Sequence, residues 1–179
     1  MSSLRPFISA EEIALQNRNL ADKITDFYRN RVSQEHPLVL LVILKGSVMF
    51  FSDLVRLLEI PVKVEFISIS SYGHDMESSG QVRFELDVRD SITSRHVLIV
   101  EDIIDTGQSL DTVLRQLRAR GPASLEIVTL LSKPDRRVVN VPVRFIGFTI
   151  PDKFVVGYGM DYAEMYRELD YIGVLTLEK

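Results

Sequence analysis

The chain contains no cysteine among its 179 residues. That excludes a disulfide framework, a thiolate metal site and a cysteine nucleophile. No apolar stretch approaches the length of a membrane span, and the start lacks a basic region followed by an apolar one, so no membrane partner is expected and a cytoplasmic protein is. Positive charge is not in excess: the formal net charge is −4, which gives no global pull toward nucleic acid. Neither a GxGxxG nor a GxxxxGK string occurs, leaving a dinucleotide fold and a P-loop unsupported. The three histidines, His36, His74 and His96, are far apart and show no ligand spacing. Repeats, low-complexity tracts and long linkers are also missing. What remains is 46% apolar and 26% charged, an ordinary globular composition of a length that suits one domain.

One stretch organises the rest, Val97-Leu-Ile-Val-Glu-Asp-Ile-Ile-Asp-Thr-Gly-Gln-Ser-Leu110. Its four apolar β-formers read as a strand buried on both faces, as in parallel sheets. Two adjacent carboxylates, Glu101 and Asp102, follow, and a third, Asp105, opens a short turn. That turn leads into a helical pattern in which Leu110, Val113, Leu114 and Leu117 form one stripe. A helix start offers free N–H groups and a dipole that favour an anion such as a phosphate. Gly107 lets backbone come close to it, and Thr106 and Ser109 add hydroxyls. Each acid alone fits a solvated loop; the combined pattern, at the carboxyl end of a strand, is far narrower.

Elsewhere, Ser9 and Glu12 form a capping-box signature ahead of an amphipathic helix over 10–31. Apolar runs at Leu38–Leu44, Leu125–Leu131 and Phe145–Ile150 read as strands, with alternating ones at 62–69 and 82–88 and a helix over 47–58. Residues 155–179 read as an irregular segment ending in a short strand near 171–177. Strands alternating with helices predict an α/β fold with a mainly parallel sheet. Residues 70–81 form a long polar loop, which is either disordered or a working lid. Lys45-Gly46, at the end of the Leu38–Leu44 run, fits a surface turn equally well from these residues alone. Lys133 would ordinarily be a solvated lysine, and Phe154 and Val155 ordinary core.

The string Glu-Asp-Ile-Ile-Asp-Thr-Gly resembles the phosphoribosyl diphosphate (PRPP) binding motif of the type I phosphoribosyltransferases, in its hypoxanthine-guanine branch. The resemblance runs with matching motif order from the Ile8 region to the Arg167 region. It implies a five-stranded, mainly parallel core over about 37–149. A hood built from about 1–36 and 150–179 would cover it within one domain. It also implies transfer of phosphoribosyl from PRPP to N9 of hypoxanthine or guanine, with Mg²⁺ as cofactor, in a homodimer or homotetramer.

By the same resemblance, Thr106, Gly107, Gln108 and Ser109 hold the 5′-phosphate, although some relatives have a basic residue where Gln108 stands. Glu101 and Asp102 bind the ribose hydroxyls, and Asp105 is the candidate base for the N7 proton. Lys45 and Gly46, after a cis peptide, line the pyrophosphate pocket with Arg167, whose planar fork pairs two phosphate oxygens. Lys133 faces the purine and Phe154 stacks on it, beside Val155. Asp161 is the expected metal ligand, with Glu101 and Asp102 as further metal candidates and Asp161 also near the base. Ser71 and Tyr72 open the family's mobile loop. Two other readings stay open: a regulator of the same fold that binds nucleotides and nucleic acid without efficient catalysis, and a relative acting on adenine or a pyrimidine.

Overall fold

The computed structural model describes residues 3–71 and 82–176. Its centre is a six-stranded sheet. The apolar runs form β2 (Leu38–Leu44), β5 (His96–Ile104), β6 (Ser124–Ser132) and β7 (Phe145–Thr149). β3 (Val62–Ser71) and β4 (Val82–Leu86) complete it in the order β4-β3-β2-β5-β6-β7. Five strands are parallel, and β4 pairs antiparallel with β3 at one edge. Because successive side chains alternate across a strand, the continuous apolar runs feed two cores. Leu40, Val42, Leu98, Val100 and Val128 face one side; Val39, Leu41, Val97, Ile99 and Ile127 face the other.

The first core is closed by α1 (Ala10–Tyr28) and α2 (Val48–Val55). At the start of α1, Ser9 Oγ accepts from the Glu12 amide at 3.2 Å and the Glu12 carboxylate accepts from the Ser9 amide at 2.8 Å, the reciprocal cap expected from the sequence. The stripe Ile13, Leu20, Ile24, Tyr28 is buried; the helix stops there rather than at residue 31, where that stripe has run out. α2 likewise ends early, in a turn closed by the Leu57 amide on the Leu54 carbonyl. The second core is closed by α3 (Gln108–Arg118), with Val113, Leu114 and Leu117 inward.

A second sheet was only partly foreseen. β1 (Ser3–Ile8), β9 (Ile172–Thr176) and the two-residue β8 (Val155–Val156) lie in the order β1-β9-β8 and are antiparallel. Residues 3–8 carry no clear alternation, and their strand is specified by its partner β9. α1 lies beside α2 and β7, so of the N-terminal stretch only β1 joins the small sheet. Among the described residues no helix is long and apolar enough to cross a membrane.

Candidate functional site

The parallel strands deliver the candidate site residues to one end of the sheet, as expected for an open α/β fold. β5 does not stop before the acids, as the apolar run suggested. Its ladder with β6 continues through Glu101 opposite Thr129 to Ile104 opposite Ser132. Glu101 and Asp102 are therefore strand residues that point to opposite faces. Asp102 lines one cavity of about 300 Å³, and Glu101 lines a neighbouring one of about 190 Å³. Ile103 and Asp105 belong to both.

The smaller cavity is the turn after β5, with Thr106, Gly107 and Ser109 on its wall. Gly107 caps α3 at φ 82°, and a Cβ there would meet the Val139 carbonyl at 2.9 Å, so glycine is required on both counts. The amides of Val138 and Val139 bond the Thr106 carbonyl at 3.0 and 3.2 Å and brace the turn from behind. Gln108 starts α3 with its side chain exposed and lines neither cavity.

The larger cavity brings together Lys45, Gly46, Asp102, Asp105, Lys133, Phe154, Val155, Asp161 and Arg167, residues drawn from across the chain. The Leu44–Lys45 peptide is cis. Gly46 lies so close to Asp102 that a Cβ would overlap the Asp102 carboxylate. Burial pushes the Asp102 carboxyl up to about 6, with Asp161 adding to the effect; the Ile103 amide, which it accepts at 2.8 Å, and Arg167 oppose it. Burial pushes Glu101 well above the usual carboxylate range, and the charge of Asp102 adds to this. Glu101 Oε2 has no hydrogen-bond partner among the described residues. Buried acceptors left open in this way are suited to hydroxyl donors from a ligand.

Lys133 is 5% exposed, yet its ammonium lies 3.8 Å from Asp105 Oδ2 and 3.7 Å from Asp152 Oδ1. Both distances exceed a hydrogen bond, so its three donors are not committed to these carboxylates. Arg136 Nε bonds Asp105 Oδ1 at 3.1 Å, and Arg137 bonds the Asp105 carbonyl and Ser132 Oγ at 2.9 Å each. Phe154 is half-exposed at the mouth, edge-on to Tyr162 with centroids 5.6 Å apart. Opposite, Arg167 bonds Asp161 Oδ1 and the Gly159 carbonyl, both at 2.8 Å, and Lys45 pairs with Glu164 at 3.1 Å. Ser71 ends β3, while Tyr72 and the polar loop after it lie outside the described residues.

The sequence reading missed Arg136, Arg137, Asp152, Met160 and Glu164. A charged Lys-Pro-Asp-Arg-Arg string directly after β6, at the ligand end of the sheet, was the available signal for the two arginines.

Residues 10–163 match the phosphoribosyl transferase domain family. Over 172 residues the chain is 49% identical to the hypoxanthine phosphoribosyltransferase of Haemophilus influenzae, covering 96% of this chain and 95% of that protein. It is also 49% identical over 180 residues to the hypoxanthine-guanine phosphoribosyltransferase of Leishmania donovani, covering 98% and 85%. The solved hypoxanthine phosphoribosyltransferase of Trypanosoma cruzi, in complex with the product IMP, superposes with a TM-score of 0.91 at 45% identity over 96% of this chain and 93% of that one. The chain belongs to the hypoxanthine phosphoribosyltransferase family.

Membership raises the question of magnesium. No group of three or more His, Asp or Glu side chains arranged for a metal occurs among the described residues. Magnesium does not need one: it keeps several waters and binds through one or two carboxylates plus substrate phosphates. Asp161 and Asp102 line the larger cavity, whereas Glu101 opens on the smaller. The three expected metal carboxylates are thus divided between two cavities. The donor set fits an ion that arrives with a pyrophosphate group, and does not fit one caged by protein alone.

Proposed function

We propose that this protein salvages purines by moving the phosphoribosyl group of PRPP to N9 of hypoxanthine or guanine, giving IMP or GMP and pyrophosphate. The observation that carries the reading is the junction of the two cavities. There Asp105, a carboxylate acceptor, sits 3.8 Å from the buried ammonium of Lys133. A 6-oxopurine needs both: a donor for O6 and an acceptor for the N7 proton. The 5′-phosphate fits the Thr106–Ser109 turn, where backbone amides, Thr106 and Ser109 supply donors. Lys45, Gly46 and Arg167 receive the pyrophosphate.

In the reaction the C1′–O bond breaks and its electron pair leaves on pyrophosphate. The N9 lone pair forms the new bond to C1′, and the N7 proton passes to Asp105. Glu101 and Asp102 hold the ribose hydroxyls, and the ionised Asp102 carboxylate favours positive charge growing on the ring. Asp161 would hold a magnesium ion, which would supply positive charge to offset that of the leaving group. The small sheet acts as a hood, since β8 carries Val155 and leads directly into the turn that bears Asp161.

A PRPP-dependent turnover screen with hypoxanthine, guanine, xanthine, adenine and uracil, in the presence of Mg²⁺, tests this reading. Turnover of hypoxanthine or guanine is expected to exceed adenine by orders of magnitude. Preference for adenine or uracil, or PRPP binding with no turnover of any base, would overturn it.

A further inference from the structure

The turn between β8 and Asp161 is held in a way the reaction above does not use. Gly157, Tyr158 and Gly159 have φ values of 99°, 50° and 96°, three successive residues in the left-handed region. Two of them are glycines, which occupy it freely; the middle one is a tyrosine, which does not. The tyrosine is also buried, at 7% exposure, and its hydroxyl reaches out of the turn to two helices. It donates to Asp53 Oδ2 on α2 at 2.6 Å and accepts from Asn17 Nδ2 on α1 at 2.8 Å. A phenol has one proton, so with Asp53 as acceptor the asparagine must present its amide nitrogen. That orientation leaves Asn17 Oδ1 buried without a partner among the described residues. Burial and the neighbouring carboxylate of Asp53 both raise the Tyr158 pKa, so the hydroxyl stays a donor at working pH.

What the anchored turn touches lies in the site. Gly159 packs against the Gly46 carbonyl so closely that a Cβ would overlap it. The Gly159 amide donates to the Arg167 carbonyl at 3.0 Å, and the Gly159 carbonyl accepts from the Arg167 guanidinium at 2.8 Å. Arg167 in turn grips Asp161. Gly46 is itself fitted against Asp102. The turn that carries this hydroxyl thus touches Gly46 and Arg167, and through Arg167 it reaches Asp161.

We propose that Tyr158 is a positioning residue for pyrophosphate recognition: its Asp53- and Asn17-anchored hydroxyl sets the turn against which Gly46, Arg167 and Asp161 are aligned. This rests on the reading of the larger cavity as the pyrophosphate site.

The test is Tyr158→Phe, which keeps the ring and removes only the hydroxyl, followed by steady-state kinetics and calorimetric titration of pyrophosphate with Mg²⁺. A misplacement on the order of 1 Å can cost about 10²-fold. KM for PRPP is expected to rise at least about tenfold, and pyrophosphate affinity to fall alike, on the scale of that cost. KM for hypoxanthine, whose proposed contacts Asp105, Lys133 and Phe154 lie outside this turn, should change less than about threefold, below the same scale. Asp53→Ala should reproduce the defect, and Asp53→Asn, which retains an acceptor for the phenol, should rescue it. That pair carries the test should Tyr158→Phe fail to fold. A purely structural role would lower the melting temperature while leaving the ratio of the two KM values unchanged, and that result overturns the proposal. If the wild type turns over no purine, the proposed reaction falls, but the pyrophosphate titration still decides the role of Tyr158.

Discussion

Lys133→Ala tests the proposed role of this lysine in base selection apart from the rest of the site. The lysine lies buried at the end of β6, and truncation removes three methylenes and an ammonium. At about 0.8 kcal/mol per buried methylene, the packing loss is roughly 2–3 kcal/mol, which lowers the melting temperature without unfolding the chain. The acids it leaves behind do not become isolated charges. Asp105 and Asp152 are both substantially exposed, and Arg136 remains 3.1 and 3.7 Å from them. The functional loss is larger in kind. An ammonium facing O6 supplies a charge-assisted hydrogen bond of about 1.5–3 kcal/mol, so KM for hypoxanthine should rise roughly 10- to 150-fold. In the proposed pose adenine would meet the wild-type lysine donor against donor, and a site of that type rejects the mismatched base by roughly 10⁴–10⁵. Removing the lysine relieves the mismatch as well as losing the bond, so the hypoxanthine-to-adenine ratio should shrink by about two orders of magnitude. Stacking on Phe154 treats all purines alike and cannot restore it. The assay is kcat/KM for hypoxanthine, guanine and adenine on both proteins at saturating PRPP and Mg²⁺. An unchanged ratio refutes the assignment of Lys133 to the purine.

Asp105→Asn should keep the fold and most PRPP binding but slow the chemical step by about 10²–10⁴, the usual cost of a lost general base; single-turnover rates within a few-fold of wild type would remove Asp105 from that role. Gly46→Ala places a methyl on the Asp102 carboxylate, so either that side chain or the Lys45-Gly46 turn must move. KM for PRPP should then rise at least about tenfold in initial-rate assays, and an unaltered KM would show that the turn is not part of the PRPP site. His96, bonded to Ser124 Oγ at 2.7 Å, has its pKa lowered by burial and, secondarily, by Arg31. Its contribution is therefore present above the ordinary value near 6.5 and lost as pH falls through the lower folded value. The melting temperature of wild type should thus drop toward that of His96→Gln between pH 7.5 and 5; a constant gap over that range contradicts the linkage.

The parts of this fold that were legible are those whose cause is local. β2, β5, β6 and β7 announce themselves because burial on both faces demands unbroken apolar runs, and the cap of α1 is written in two residues three apart. The turn after β5 is legible for the same reason: acid, hydroxyl and glycine must be contiguous to form it. β1 and β8 were not, because a strand of six mixed residues or of two carries too little pattern. Each exists through its pairing with β9, more than 160 residues from β1 and about 18 from β8 in sequence.

The same division runs through the site. Residues proposed to meet a ligand by their own chemistry, such as Asp105, Lys133 and Arg167, can be picked out one by one, and the fold brings them to adjoining cavities. Residues that act by holding another residue carry no such mark. Arg136 reaches Asp105 across 31 positions, Tyr158 reaches Asp53 across 105, and Asn17 reaches Tyr158 across 141. Loop closure over such separations costs entropy that no local pattern reveals. These bonds therefore persist only where the completed sheet and helices have already brought their partners together. Ligand chemistry in this protein is encoded residue by residue, whereas its precision is encoded in the topology.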